Sequence, residues 1–142
     1  MKDCVFCKIV TGKIPSYKVY EDNDFMGFLD IAPLNPGNVL LIPKTHYHWV
    51  YDAPNMGKYF EVARKIGIAA QKAVGAHSIN FLTLGYEVPH AHIRIIPRFD
   101  NDGHTDGIRL SAVKKIAPDE MKKIAEHILK NIKSQMSKVK ST

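Results

Sequence analysis

The sequence predicts a single α+β domain, an antiparallel sheet with helices packed against it. Two long segments carry apolar residues at helical spacing, and five shorter ones read as strands. No linker or internal repeat divides the 142 residues, a length that suits one core. Residues 1–110 or so form the body, and residues 111–142 add a C-terminal helix with a lysine-rich tail.

The elements follow from local chemistry. Cys4-Val5-Phe6-Cys7-Lys8-Ile9-Val10 fits a short turn or helix that stops at Thr11-Gly12, and Pro15 breaks the chain. Tyr17–Tyr20 and Phe25–Leu29 read as short strands joined by Glu21-Asp22-Asn23-Asp24, a turn-rich run. Two prolines and a glycine make 30–37 a loop. Val39-Leu40-Leu41-Ile42 is a continuous apolar run suited to a buried strand, closed by Pro43. Asp52 or Asn55 can cap a helix that runs to about Val74, with Tyr59, Val62, Ile66, Ala69, Ala70 and Ala73 as its stripe. Gly75 is a natural stop. Ile79–Leu84 is a strand, and 100–107 is a polar loop. Pro118-Asp119-Glu120 opens a second helix, whose stripe is Met121, Ile124, Ala125, Ile128, Leu129 and Ile132.

Composition excludes several classes. Hydrophobic residues are 45% and charged residues 24%, the globular range, so the chain is not a disordered one. No apolar run approaches a membrane span. The opening Met1-Lys2-Asp3-Cys4 lacks the apolar core of a signal peptide, which predicts a cytoplasmic protein. The net charge of +6 comes largely from late lysines such as Lys114, Lys115, Lys122, Lys123, Lys138 and Lys140. A solvated helix face explains that excess better than nucleic-acid binding, because few aromatic residues stand among the lysines to stack on bases. Cys4 and Cys7 form Cys-x-x-Cys, a spacing that points to metal or redox chemistry in a cytosolic protein.

The most informative stretch is Val88–Arg98. His90, His92 and Arg94 alternate with Ala91, Ile93 and Ile95. A strand would send the first three to one face, each about 6 to 7 Å from the next, and bury the second three. Pro97 cannot donate to a ladder, so the strand should end there or lie on an edge.

Several blocks in register carry a resemblance to the histidine-triad (HIT) family. They are Cys4–Pro15, Val19–Asp22, Phe28–Pro33, Pro36-Gly37, Val39–His46 and His90–Arg98. The resemblance implies a five-stranded antiparallel sheet with two helices, and a homodimer whose sheets join. It also implies binding of a purine nucleotide, such as AMP or a dinucleoside polyphosphate, and hydrolysis or nucleotidyl transfer by attack on the α-phosphate.

The same resemblance assigns roles. His92 matches the nucleophile, which must be a neutral imidazole with its second nitrogen held by an acceptor. His90 matches the first triad histidine, and two readings stand: catalytic support, or a zinc ligand with Cys4, Cys7 and His46. His48 is a neighbour of His46 and reads as a surface residue. Arg94 replaces the third histidine. It either pairs with phosphate oxygens, lowering the pKa of His92, or turns to the rim. Asp30 matches the ribose-binding acid, although a strand-end turn former also fits. Phe6, Ile9, Phe28 and Ile31 match positions around the base, and by composition alone they read as core. The loop before the triad is short, with Tyr86 where relatives carry glutamine, and Glu87 would repel phosphate if it faced the site. The expected protein is a histidine-triad nucleotide hydrolase. The alternative is a zinc-stabilised nucleotide-binding module with little catalysis. Nucleic-acid binding ranks last.

Overall fold

Apolar residues on both faces of the central strands set the architecture. In the computed structural model, described for residues 3–105 and 107–141, β2 (Phe25–Leu29) and β3 (Val39–Pro43) are buried along their whole length. They are flanked by β1 (Lys18–Glu21), β4 (Ser78–Leu82) and β5 (Ile93–Arg98). The order across the sheet is β1-β2-β3-β5-β4, with every neighbouring pair antiparallel.

The pleat sorts side chains into two clusters. Phe25, Leu29, Val39, Leu41, Ile93 and Ile95 join the main core, which α2 (Met56–Val74) and α3 (Pro118–Ser141) cover. The predicted stripes do this packing: Tyr59, Val62, Ile66, Ala69 and Ala70 from α2, and Met121, Ile124, Ala125, Ile128 and Ile132 from α3. Leu129 is half-buried. Met26, Phe28, Leu40 and Ile42 point the other way, onto α1 (Val5–Val10), and there they meet Cys4, Phe6 and Ile9. Gly27 lets α2 close on the sheet, since a Cβ there would stand 3.2 Å from Ile66 Cδ1. No helix among the described residues is long and apolar enough to cross a membrane.

Four expectations change. The described residues form three α-helices, because 5–10 complete a real helix with Cys4 Sγ accepting from the Cys7 N–H. Asn55 precedes α2 in the left-handed region at φ 56° and makes no side-chain cap, so packing rather than capping begins that helix. The fifth strand starts at Ile93, not Val88. Nor does Pro97 end β5, which lies inside the sheet. The β3 ladder stops at Val39 opposite Ile95, so Pro97 has a strand only on its β4 side. On the other side its carbonyl accepts from Asn35 Nδ2 at 2.8 Å.

Several charged residues are tied into the fold by hydrogen bonds and ion pairs. Arg98 donates to Asp102, Asn80 and the His104 carbonyl. Asp102 also accepts from Asn35 and from the Phe99 and His104 N–H groups. Lys114 donates to the Leu34 and Asp102 carbonyls. Lys44 pairs with Glu21 at 2.8 Å. His104 is buried, bonded to the Leu34 carbonyl and the Arg109 N–H. The side chains of Lys138 and Lys140 lie outside the described residues.

Candidate active site and metal centre

Two groups of functional side chains meet at one place because α1 lies across the sheet face that carries His90 and His92. Phe6 joins them, with its ring edge-on to Phe28, His90 and His92 at centroid distances of 5.5, 5.7 and 5.3 Å. The alternation read from the sequence holds here although His90 and His92 precede the strand proper. Ala91, Ile93 and Ile95 go to the main core, and both histidines turn to α1.

His92 is buried, and its Nδ1 lies 2.8 Å from the carbonyl oxygen of His90. A carbonyl only accepts, so Nδ1 carries the proton and Nε2 keeps its lone pair. Burial lowers the His92 pKa, and the nearby Arg94 charge lowers it further, against the pull of that hydrogen bond and of Glu87. The imidazole is therefore held neutral at neutral pH.

His92 lines a cleft of about 350 Å³. Phe6, Ile9, Phe28 and Leu40 form an apolar wall, and Asp30, Arg94 and Glu87 supply the charge. Asp30 sits where β2 ends. Its N–H donates to the Asn38 carbonyl, and its Oδ1 accepts from the Ala32 N–H at 2.9 Å. It thus caps a turn, as a strand-end turn former does, and at the same time lines the cleft. Burial raises its pKa, partly offset by the Ala32 N–H and by Arg94. Ile31 also lines the cleft but is 84% exposed, so it is a lip and not core. Arg94 does not turn out to the rim, since its side chain is only 15% exposed and Glu87 Oε2 lies 3.7 Å away. Glu87 does face the site, from an exposed position. Leu34, Leu110 and Val113 complete the wall. Only the tertiary fold could disclose these three, because nothing in their local pattern distinguishes them from core or loop.

Beside the cleft, Cys4, Cys7, His46 and His90 place one ligand atom each within 4.8 Å of one another. Cys4 Sγ lies 3.3 Å from His90 Nδ1, and Cys7 Sγ lies 3.3 Å from His46 Nδ1 and 3.5 Å from His90 Nδ1. A tetrahedral zinc ion with ordinary bond lengths spaces its ligand atoms by roughly 3.3–3.8 Å. His90 Nε2 stands 2.9 Å from the Pro43 carbonyl and must donate to it, which leaves Nδ1 unprotonated and aimed at the sulfurs. Both cysteines are free, and burial together with Cys4 pushes the Cys7 thiol up to about 11. The donor set therefore fits zinc, which would displace thiol protons on binding. His48 stays outside this group. It is exposed, stacks on Trp49 at 3.9 Å, and approaches the Gly85 carbonyl. His77 and His127 are exposed as well.

Residues 11–101, more than half of the chain, match the HIT domain. The chain belongs to the HIT family. A HIT-like protein of Methanocaldococcus jannaschii is 37% identical over 129 residues, spanning 84% of this chain and 96% of that protein. The adenosine 5'-monophosphoramidase of Schizosaccharomyces pombe is 33% identical over 137 residues, spanning 92% and 98%. Among solved structures, a zinc-bound histidine triad family protein from Mycobacterium smegmatis superposes with a TM-score of 0.78 at 27% identity, covering 96% of this chain and 97% of that one. In this HIT protein the Cys4/Cys7/His46/His90 group is a candidate zinc site, and the Mycobacterium smegmatis protein is a zinc-bound member of the same family.

Proposed function

We infer that this HIT protein is a purine-nucleotide hydrolase or nucleotidyl transferase that works through His92. The observation that carries the reading is the free Nε2 of His92, with its tautomer set by the His90 carbonyl, in a cleft that also holds a carboxylate and a guanidinium. Nε2 attacks the α-phosphorus, a P–N bond forms, and the bond to the leaving group breaks with its electron pair leaving on that group. The imidazole keeps its Nδ1 proton throughout. Water then attacks the phosphorus and loses a proton to solvent, the pair of the P–N bond returns to Nε2, and a nucleoside monophosphate departs. Asp30 accepts from the ribose hydroxyls, and Phe6, Ile9, Phe28 and Ile31 border the base in an apolar slot that discriminates little among purines. The match to a monophosphoramidase over nearly its whole length supports the reaction class.

Cys4, Cys7, His46 and His90 hold a structural zinc ion that ties α1 to the sheet. His90 thereby serves as ligand, and it serves catalysis through its carbonyl. The protein is a homodimer whose sheets join along β4, a free edge where Phe81 and, on neighbouring α2, Ile68 are exposed. Light scattering of the pure protein tests this, and a monomer at micromolar concentration refutes it.

The deciding experiment incubates the protein with labelled adenosine phosphoramidate and with a diadenosine polyphosphate, and seeks an acid-labile protein adduct. Wild type should form it, and His92→Ala should not. Full turnover by His92→Ala removes the mechanism. Arg94 favours a second reading, a binding module, because it cannot give a proton to a leaving group. AMP binding by calorimetry without turnover of any substrate would establish that reading instead.

A further inference from the structure

Among the described residues Arg94 is the one Lys or Arg in the cleft wall, and its donors are under-used. Its Nε is buried and has no hydrogen-bond partner among the described residues. Its nearest anion, Glu87, lies 3.7 Å away, beyond hydrogen-bonding distance, on a side chain that is 85% exposed. A buried guanidinium donor in this state is open to a charge-assisted hydrogen bond with an anion that enters the site.

Position says which anion. Arg94 pairs with Leu40 on one side and Leu82 on the other, so the sheet holds its backbone from both edges. It stands two residues beyond His92 on the same face, about 6 to 7 Å along an extended chain. Its Nη2 points towards Glu87 on the exposed side of the cleft, the side open to a group released from the phosphorus that His92 attacks. The charged and titratable groups lining the cleft are Asp30, Glu87, His92 and Arg94. His92 is the nucleophile and Asp30 caps its turn. Arg94 stays protonated and donates hydrogen bonds but no proton.

We propose that Arg94 is the specificity residue for the leaving group, selecting substrates whose α-phosphate is bonded through oxygen to a phosphate or sulfate over those bonded to nitrogen. The proposal rests on the hydrolase reading above. In the favoured reaction the P–N bond to His92 Nε2 forms and the P–O bond breaks. Sulfate or a phosphate chain leaves with the electron pair as an anion, and Arg94 binds that charge. An amine leaving group must gain a proton as the P–N bond to it breaks, and Arg94 supplies none. Glu87 competes for Arg94 until the anion displaces it.

The test compares kcat/KM for adenosine 5'-phosphosulfate, diadenosine triphosphate and adenosine 5'-phosphoramidate, using wild type, Arg94→Gln, Arg94→His and Glu87→Gln. Wild type should prefer the first two by about 10-fold or more over the phosphoramidate. Arg94→Gln should lower that ratio roughly 10- to 100-fold, the worth of one or two charge-assisted hydrogen bonds. Arg94→His restores a group able to give a proton, and should shift preference to the phosphoramidate. Glu87→Gln, an exposed change with little bearing on folding, should raise the ratio. Equal losses on all three substrates, or a wild-type preference for the phosphoramidate, overturn the proposal and leave the hydrolase reading standing. Absence of both turnover and His92 adduct with all three substrates overturns both.

Discussion

His92 donates from Nδ1 to the main-chain carbonyl of His90, two residues before it, at 2.8 Å. His90 in turn donates from Nε2 to the Pro43 carbonyl, so each ring presents its other nitrogen as a base. One base faces the cleft and the other faces two cysteines. The same stretch of chain thus supplies the proposed nucleophile and a candidate metal ligand, and the main-chain carbonyl of the second is the acceptor that orients the first.

This relationship sets apart two variants of neighbouring histidines. His92→Ala should reduce turnover by three orders of magnitude or more, about 4 kcal/mol of barrier, because it removes the group that forms the covalent bond. Nucleotide affinity should change by less than about 10-fold, since the Asp30 and apolar contacts remain. Stopped assays and calorimetry on the same sample measure both. Equal loss of binding and turnover would mean that His92 holds the cleft together instead.

Zinc removal should loosen α1. Purified protein should carry close to one equivalent by elemental analysis, and Cys7→Ser should carry little. A strong chelator should lower the melting temperature by about 10 °C, given 2–4 °C per kcal/mol at this size and several kcal/mol for the site. Hydrogen exchange should rise first in Val5–Val10, whose cap is the Cys4 sulfur. An unchanged melting temperature on full metal loss would assign the cysteines to packing alone.

Asp30→Asn tests the ribose contact. The variant keeps the turn cap to the Ala32 N–H through its amide oxygen, but loses a charged acceptor. AMP affinity should fall about 10-fold, and 2',3'-dideoxy-AMP should bind wild type and variant equally, since a hydrogen bond to a charged group contributes about 1.5–3 kcal/mol. Equal weakening of both ligands would place Asp30 in the turn only.

Asp102 is a structural hub, 6% exposed at the side chain and bonded to Arg98, Asn35 and two N–H groups. Asp102→Ala should cost about 3–5 kcal/mol, since it strands the buried Arg98. These partners, Arg98 foremost, hold the Asp102 carboxyl well below the usual carboxylate range. A depressed folded pKa contributes stability in full above the unfolded value near 4 and loses it as pH falls below that. The urea midpoints of wild type and Asp102→Asn should therefore converge from pH 5 towards pH 2. A gap that stays constant over that range would show that the carboxyl charge contributes nothing.

Much of this was legible from residue order. Alternation in Val88–Arg98 sorted its side chains between two faces correctly, because a strand's period of two is a local property. The helical stripes of α2 and α3 identified their buried faces for the same reason, and Cys-x-x-Cys marked the metal-binding end of α1. Local order also misled where a partner far along the chain decides the outcome. Pro97 stays inside β5 because Asn35, 62 residues earlier, replaces the missing ladder. Nothing in the residues beside Arg98 shows that Asp102 and Asn80 enclose its guanidinium, because Asn80 lies on a different strand.

By itself, then, the sequence determined the element types, the face carrying the two histidines, and the four residues of the candidate metal group. Tertiary structure alone decided which nitrogen of each histidine is free, that Arg94 lies in the cleft wall, and that Leu110 and Val113 close it. The division has a physical cause. Periodicity is written in neighbours a few residues apart, whereas tautomer, burial and charge pairing depend on acceptors such as the Pro43 carbonyl that only folding brings within reach.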